Sequence, residues 1–204
     1  VIRGGDGDDT LTDNEDSTIY GGDGDDTIQN FSSSSLGLKV YGGDGDDVIQ
    51  GYAFTSIDAG AGNDEIRTQW TELTVPASID GGDGIDKLDI GWFDYIDSDV
   101  DWSLFTGFEE IKILGERYHT FTDNVAGAGT TLKIRRWAGG SIHLDFSAES
   151  DASLDIDMRP ENRGTSGNET IKGGALADVI KTREGSDTVF ANAGNDDINL
   201  GDGD

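Results

Sequence analysis

The chain has 204 residues, 42 of them Asp or Glu against 14 Lys or Arg, for a formal charge of -28, and it contains no cysteine. That charge repels nucleic acid phosphates and an anionic membrane surface, and without thiols neither disulfides nor a thiolate zinc site can hold the fold. With 34% hydrophobic residues the core must be thin, and no apolar run nears the roughly 18 residues that span a bilayer, so membrane insertion is not expected.

Aliphatic residues recur at fixed offsets from acidic clusters, which sets the chain apart from a disordered one. In the first ninety residues five units share one pattern. Ile2-Arg3 precedes Gly4-Gly5-Asp6-Gly7-Asp8-Asp9-Thr10-Leu11, and Ile19-Tyr20 precedes Gly21-Gly22-Asp23-Gly24-Asp25-Asp26-Thr27-Ile28. The third runs from Val40 to Ile49, a looser fourth from Ile57 to Ile66, and the fifth from Ile79 to Leu88. Successive units are 17, 21 or 22 residues apart, and Phe31 to Gly37, with four serines, reads as an enlarged loop between two of them.

These units resemble the repeats-in-toxin (RTX) family, whose nonapeptide is G-G-x-G-x-D-x-U-x with U a large aliphatic. The resemblance implies an all-β fold, a right-handed parallel β-roll or β-helix solenoid with Ca2+ ions between stacked glycine-rich turns. Six residues of each nonapeptide would form the turn and three a short strand, so that a coil takes about 18 residues. The spacing in residues 1–90 then gives one motif turn per coil, all on the same edge.

The ligands implied are Gly4, Asp6, Asp8 and Asp9 in the first turn, Gly21, Asp23, Asp25 and Asp26 in the second, and Gly42, Asp44, Asp46 and Asp47 in the third. The fourth turn offers Ala59, Ala61, Asn63 and Asp64, and the fifth Gly81, Asp83, Ile85 and Asp86. The sixth-position aspartates Asp9, Asp26, Asp47, Asp64 and Asp86 are the leading candidates, because each ends a turn where its side chain can fold back over an ion. Glycines at positions one, two and four are expected to supply positive φ angles that turn carbonyls inward. Ca2+ takes six to eight oxygens, which such turns provide, and five turns would frame about four ions. Equivalent aspartates on strands about 4.8 Å apart repel by roughly 3 kcal/mol at an effective dielectric of 20, so the chain is expected to be disordered without Ca2+ and folded with it.

Residues 91–163 lack the motif and hold ten of the seventeen aromatics. Alternation at Ile111–Ile113, Leu132–Ile134, Ile142–Phe146 and Leu154–Met158 predicts strands, read as a motif-poor solenoid in preference to a sandwich because repeats flank them. Trp92, Phe93, Tyr95, Trp102, Phe105 and Phe108 are expected to fill the core rather than form a carbohydrate platform. His119 and His143 are expected to be surface or packed residues, and Lys133, Arg135 and Arg136 a solvated face or an acidic contact.

Residues 164–204 carry a second, degenerate and truncated array. Nines begin at Gly164, Gly173, Thr182, Ala191 and Leu200, with Ile171, Ile180, Val189 and Ile198 at the eighth position. Motif turns should alternate edges here, with ligands at Asp178, Asp187, Asn195 and Asp196. Glu169 replaces a motif aspartate, Leu176 a glycine, and Arg183-Glu184 a Gly-x pair, so fewer or weaker ions are expected.

No catalytic residues are expected, because no serine, histidine and acid set or nucleophile elbow is apparent. The resemblance implies a calcium-binding structural module of a secreted bacterial protein, at the cell surface or outside it. The favoured setting is a long surface protein such as an adhesin, filament or surface layer. The alternative is the carboxyl-terminal secretion and folding module of an enzyme or toxin exported by the type I route. Joining Gly201-Asp202-Gly203-Asp204 to Val1-Ile2-Arg3-Gly4 nearly regenerates the motif, so neighbouring copies stacked end to end are a further expectation.

Overall fold

The structure is a computed structural model that describes residues 1–13, 15–31, 37–51, 54–68, 78–90, 101–113, 118–136, 139–160 and 167–202. Trp92, Phe93, Tyr95, most of the serine loop and the nine beginning at Gly164 up to Ser166 lie outside the described residues. Two compact units are present, residues 1–98 with 104–108, and residues 99–103 with 109–204.

In the first unit each motif turn separates two short strands. In chain order these are β1 (Ile2–Asp6), β2 (Thr10–Thr12), β3 (Thr18–Asp23), β4 (Thr27–Asn30), β5 (Leu38–Asp44), β6 (Val48–Gly51), β7 (Phe54–Gly62), β8 (Glu65–Thr68), β9 (Ser78–Asp80), β10 (Asp83–Gly84), β11 (Lys87–Ile90) and β12 (Phe105–Thr106). Parallel pairing stacks β1, β3, β5, β7, β9 and β12 in one sheet and β2, β4, β6, β8 and β11 in another.

Register follows the aliphatic positions. Ile2, Ile19, Val40, Ile57 and Ile79 pair in succession on one sheet, and Leu11, Ile28, Ile49, Ile66 and Leu88 on the other. From the second coil onward these side chains are fully enclosed. A slip of one residue would turn each ladder to solvent, so burial pins the register, and the register in turn stacks the glycine-rich turns directly over one another.

The second unit has the same logic with wider coils. Its strands are β13 (Glu110–Ile113), β14 (Tyr118–Thr120), β15 (Thr131–Arg136), β16 (His143–Asp145), β17 (Ser153–Pro160), β18 (Thr170–Lys172), β19 (Val179–Lys181), β20 (Thr188–Phe190) and β21 (Asp197–Asn199). One parallel sheet orders β13, β15, β17, β19 and β21, and the other β14, β16, β18 and β20. Consecutive strands from β13 to β21 thus alternate between sheets, and the fold is an all-β parallel roll.

The wider coils are filled by rings. Phe121 stacks on Phe146 with centroids 4.1 Å apart, and Trp102 lies 4.2 Å from Phe121. Trp102, Phe105 and Phe108 are buried, as expected of aromatics in a thin core. His119 is buried against Trp102 at 5.7 Å, and His143 stacks on Tyr118 at 4.1 Å.

Arg136 takes the second of the two expected roles, an acidic contact, in the interior. In β15 Leu132, Ile134 and Arg136 alternate on the inward face, a shift of register between Arg135 and Arg136 follows, and the guanidinium is fully buried rather than solvated. Its Nη1 lies 2.7 Å from Oε1 of Glu169, itself fully enclosed, and its Nη2 donates to the carbonyl of Gly140. Arg135 makes a half-buried counterpart, with Nη2 2.8 Å from Oδ2 of Asp155.

Candidate metal centre

Each motif turn of the first unit ends on its sixth-position aspartate, and the stacking of coils determines what that side chain does. Oδ1 of Asp26 accepts the N–H of Asp9 at 2.8 Å, and Oδ1 of Asp47 accepts that of Asp26 at 2.8 Å. The ladder continues with Oδ1 of Asp64 on the N–H of Asp47 at 2.7 Å, and Oδ1 of Asp86 on that of Asp64 at 2.8 Å. One oxygen of each of these carboxylates is therefore tied to the preceding coil. The second oxygen, Oδ2 of Asp9, Asp26, Asp47 and Asp64, is buried without a hydrogen-bond partner. An orphaned buried polar atom costs about 1–3 kcal/mol, more when charged, a cost repeated along one edge that a bound cation would relieve.

The first-position residue controls where that oxygen points. A Cβ added at Gly4 would stand 2.5 Å from Oδ2 of Asp9 and 2.6 Å from the carbonyl oxygen of Gly21. At Gly21 it would overlap Oδ2 of Asp26 and the carbonyl of Gly42, and at Gly42 it would overlap Oδ2 of Asp47 and the carbonyl of Ala59. The expectation that glycine serves positive φ at all three motif positions is corrected by these contacts. Gly22 and Gly24, at positions two and four, have φ of 130° and 117°, but Gly4, Gly21 and Gly42 lie outside the left-handed region. Position one is glycine because a methyl would occupy the cradle where a carboxylate oxygen and a carbonyl of the next coil converge. Ala59 places a methyl at that position in the fourth turn.

Carboxylate and carbonyl oxygens, with no nitrogen or sulfur among them, are the donor set of a hard divalent cation such as Ca2+. The first- and sixth-position residues thus fit the ion. The fifth position does something else with its side chains. Oδ1 of Asp8, Asp25 and Asp46 accepts the N–H of Asp25, Asp46 and Asn63 at 3.0, 2.8 and 2.7 Å, and Oδ1 of Asn63 accepts that of Ile85 at 3.1 Å. These exposed side chains form a second ladder that caps backbone amides. The third position contributes backbone: the carbonyls of Asp23, Asp44 and Ala61 accept the N–H of Gly7, Gly24 and Gly45 at 2.6 to 2.8 Å. The side chains of Asp6, Asp23, Asp44 and Asp83 are exposed.

Electrostatics follow from burial. Asp26, Asp47, Asp64 and Asp86 are almost wholly enclosed. Burial first, and then repulsion from neighbouring aspartates, raises the Asp26 carboxyl above its ordinary range, carries Asp47 to about 6 and takes Asp64 to about 7. An ion-free column therefore resists holding all of its charge near neutral pH.

The second unit keeps the ladder with fewer orphaned oxygens. Oδ1 of Asp196 accepts the N–H of Asp178 at 3.0 Å on one edge, and Oδ1 of Asp187 accepts that of Glu169 at 2.8 Å on the other. Asp178 has both oxygens occupied, by the N–H of Leu154 at 3.0 Å and of Gly174 at 2.9 Å. Its turn still has the glycine cradle, since a Cβ on Gly173 would lie 2.6 Å from Oδ2 of Asp178 and 2.6 Å from the carbonyl of Ala191. Oδ2 of Asp187 is buried without a partner, while Asn195 is exposed. At the Glu169 turn the chain supplies its own cation, because Arg136 sits against the carboxylate that replaces the motif aspartate. Alternation of Leu132, Ile134 and Arg136 was the signal in the sequence that pointed Arg136 inward.

A family model described as RTX calcium-binding nonapeptide repeat (4 copies) matches residues 3–29, 39–53 and 163–198. In-register stacking of the first unit runs on beyond residue 53, through the turns of Asp64 and Asp86. No curated protein and no solved structure matches the chain.

Proposed function

The chain carries RTX calcium-binding nonapeptide repeats, a structural module of secreted bacterial proteins, and from that premise we propose that its two units form a calcium-stiffened segment of a long surface protein such as an adhesin, filament or surface layer. The observation that supports calcium binding is the column of Oδ2 atoms of Asp9, Asp26, Asp47 and Asp64, each buried and unpartnered. Asp9, Asp26 and Asp47 would hold Ca2+ together with the first-position carbonyls of the following coils, and the absence of a side chain at Gly4, Gly21 and Gly42 leaves room beside those oxygens. The fourth turn, with the methyl of Ala59, holds its ion more weakly, which gives three to four ions along this edge.

Of the other candidate positions, Asp6, Asp23, Asp44, Asp83 and Ile85 line the turns through backbone, and Asp8, Asp25, Asp46 and Asn63 hold adjacent turns in register. In the second array Asp187 and the Asp178–Asp196 turn take the remaining ions. Each ion cancels charge that the stack cannot hold alone, so binding and folding are one event. An affinity near 10⁻⁴ to 10⁻³ M, typical of extracellular modules, keeps the chain unfolded in the cytosol and folds it outside.

Far-UV circular dichroism during a Ca2+ titration tests the module, with strand signal expected to rise with the ion and vanish in chelator; a spectrum indifferent to chelator refutes it. Antibody against the chain tests the setting. Labelling of intact source cells supports the surface reading, whereas recovery only in culture medium, joined to an enzyme or toxin, supports the secretion-module alternative.

A further inference from the structure

The geometry points to a divalent-cation site outside the nonapeptide turns, formed by Asp123, Glu149 and Asp151 and suited to Ca2+. It lies in the motif-poor part of the second unit, away from the residues that the family model matches.

Backbone register places it. The N–H groups of Phe121, Phe146 and Gly173 donate to the carbonyls of Asp145, Lys172 and Phe190 at 2.9, 2.9 and 2.8 Å. Phe121, Phe146 and Gly173 are therefore equivalent positions in successive coils, and the turn opened by Gly173 is the one that bears Asp178. The turns that follow Phe121 and Phe146 run along the same edge, so the three carboxylates extend the Asp178–Asp196 column into coils with no motif.

One oxygen from each of Asp123, Glu149 and Asp151 lies within 4.8 Å of the other two. Oxygens bound to one Ca2+ at about 2.3 to 2.6 Å are at most about 4.6 to 5.2 Å apart, so the three carboxylates lie within the span of a single ion. The independent observation is at Glu149. Its side chain is buried, Oε1 accepts the N–H of Ala152 at 2.9 Å and of Asp151 at 3.2 Å, and Oε2 is enclosed with no partner. No described Lys or Arg forms an ion pair with any of the three. Burial raises the Glu149 carboxyl above its ordinary range, and Asp123 and Asp151 push it the same way.

Donors are already positioned around the gap. Asp123 accepts the N–H of Ser150 at 2.6 Å through Oδ1 and the hydroxyl of Ser150 at 3.0 Å through Oδ2, while the Asp151 carbonyl accepts the N–H of Gly129 at 2.7 Å. Two adjacent turns are thereby tied together around three acids, and each carboxylate oxygen keeps lone pairs for an ion. Asp123 and Asp151 are exposed, so water completes the shell. Three carboxylates without nitrogen or sulfur favour a hard cation, and the irregular arrangement favours Ca2+ over octahedral Mg2+. The ion would staple two coils whose sequence offers no nonapeptide turn.

The choice of Ca2+ rests on the calcium-module reading; the site itself does not. The test counts ions bound to the full chain at saturating Ca2+ by equilibrium dialysis, for the wild type and for Asp123→Asn with Asp151→Asn, both exposed, with near-UV dichroism to verify folding. The double variant is expected to bind one ion fewer, and an unchanged count overturns the proposal. A wild type that binds no Ca2+ overturns the nonapeptide reading instead, and Tb3+ then reports the site alone. Trp102, whose ring lies 4.2 Å from that of Phe121, two residues before Asp123, is placed to sensitise Tb3+ luminescence, so Trp102→Phe should lower the tryptophan-excited signal without altering the ion count. A signal that Trp102→Phe and Glu149→Gln both leave intact overturns the site even where the double variant fails to fold.

Discussion

In the presence of chelator, lowering the pH from 7 toward 5 is expected to shift the first unit toward its folded form, because protons relieve the same buried charge as Ca2+. Folding carries the Asp47 carboxyl from 3.8 to about 6 and Asp64 to about 7. Every tenfold gain in proton affinity corresponds to about 1.4 kcal/mol, so the two protonated groups favour the folded state by up to about 3 and 4 kcal/mol relative to their ionised forms. That is large against a typical net stability of about 5–15 kcal/mol. The sign follows from proton uptake: the folded chain binds protons more tightly than the unfolded one, so this contribution is complete below about pH 4 and is lost as pH rises through 6 and 7. Far-UV dichroism in chelator at pH 7 and pH 5 reads it directly. Relief of the overall charge of -28 acts in the same direction and must be separated. Asp47→Asn with Asp64→Asn mimics the protonated pair at pH 7 and is expected to raise strand content in chelator while reducing the ion count. Asp6→Asn with Asp23→Asn, equal in charge but on exposed side chains, should do much less. Equal effects of the two pairs, or no gain at pH 5, would refute the argument from burial.

Gly21→Ala should remove one ion and weaken the Ca2+ response, since its methyl collides with Oδ2 of Asp26 and the carbonyl of Gly42 at an ordinary φ; isothermal titration reads the count. Arg136→Met leaves Glu169 buried without its partner and is expected to cost about 3–5 kcal/mol. Adding Glu169→Leu should recover much of that, as denaturant midpoints in saturating Ca2+ will show. Ile49→Ala, in the middle of a fully enclosed ladder, should cost about 2–5 kcal/mol in the same assay.

Much of the fold was legible because the motif repeats at a fixed offset from its aliphatics. Pairing of Ile19 with Val40 and of Ile28 with Ile49 follows from spacing alone, since a parallel stack has one register that buries both ladders. The sixth-position aspartates stand out for the same reason. The wider coils of the second unit were harder to place, because their ladders are interrupted by rings such as Phe121 and Phe146 and their turns follow no repeat.

What the sequence determined by itself is therefore periodic: the parallel roll, the aliphatic ladders and the edge on which aspartates accumulate. Tertiary structure decided whatever depends on contacts between coils. It divided Asp26 and Asp47 into one oxygen spent on the preceding coil and one facing a cradle, and it showed that Gly4, Gly21 and Gly42 leave room for the Oδ2 atoms of Asp9, Asp26 and Asp47. It also put Arg136 against Glu169, 33 residues away, and gathered Asp123, Glu149 and Asp151 from two turns. No local pattern encodes those meetings, because they arise only when neighbouring coils fix the distance between groups remote in the chain.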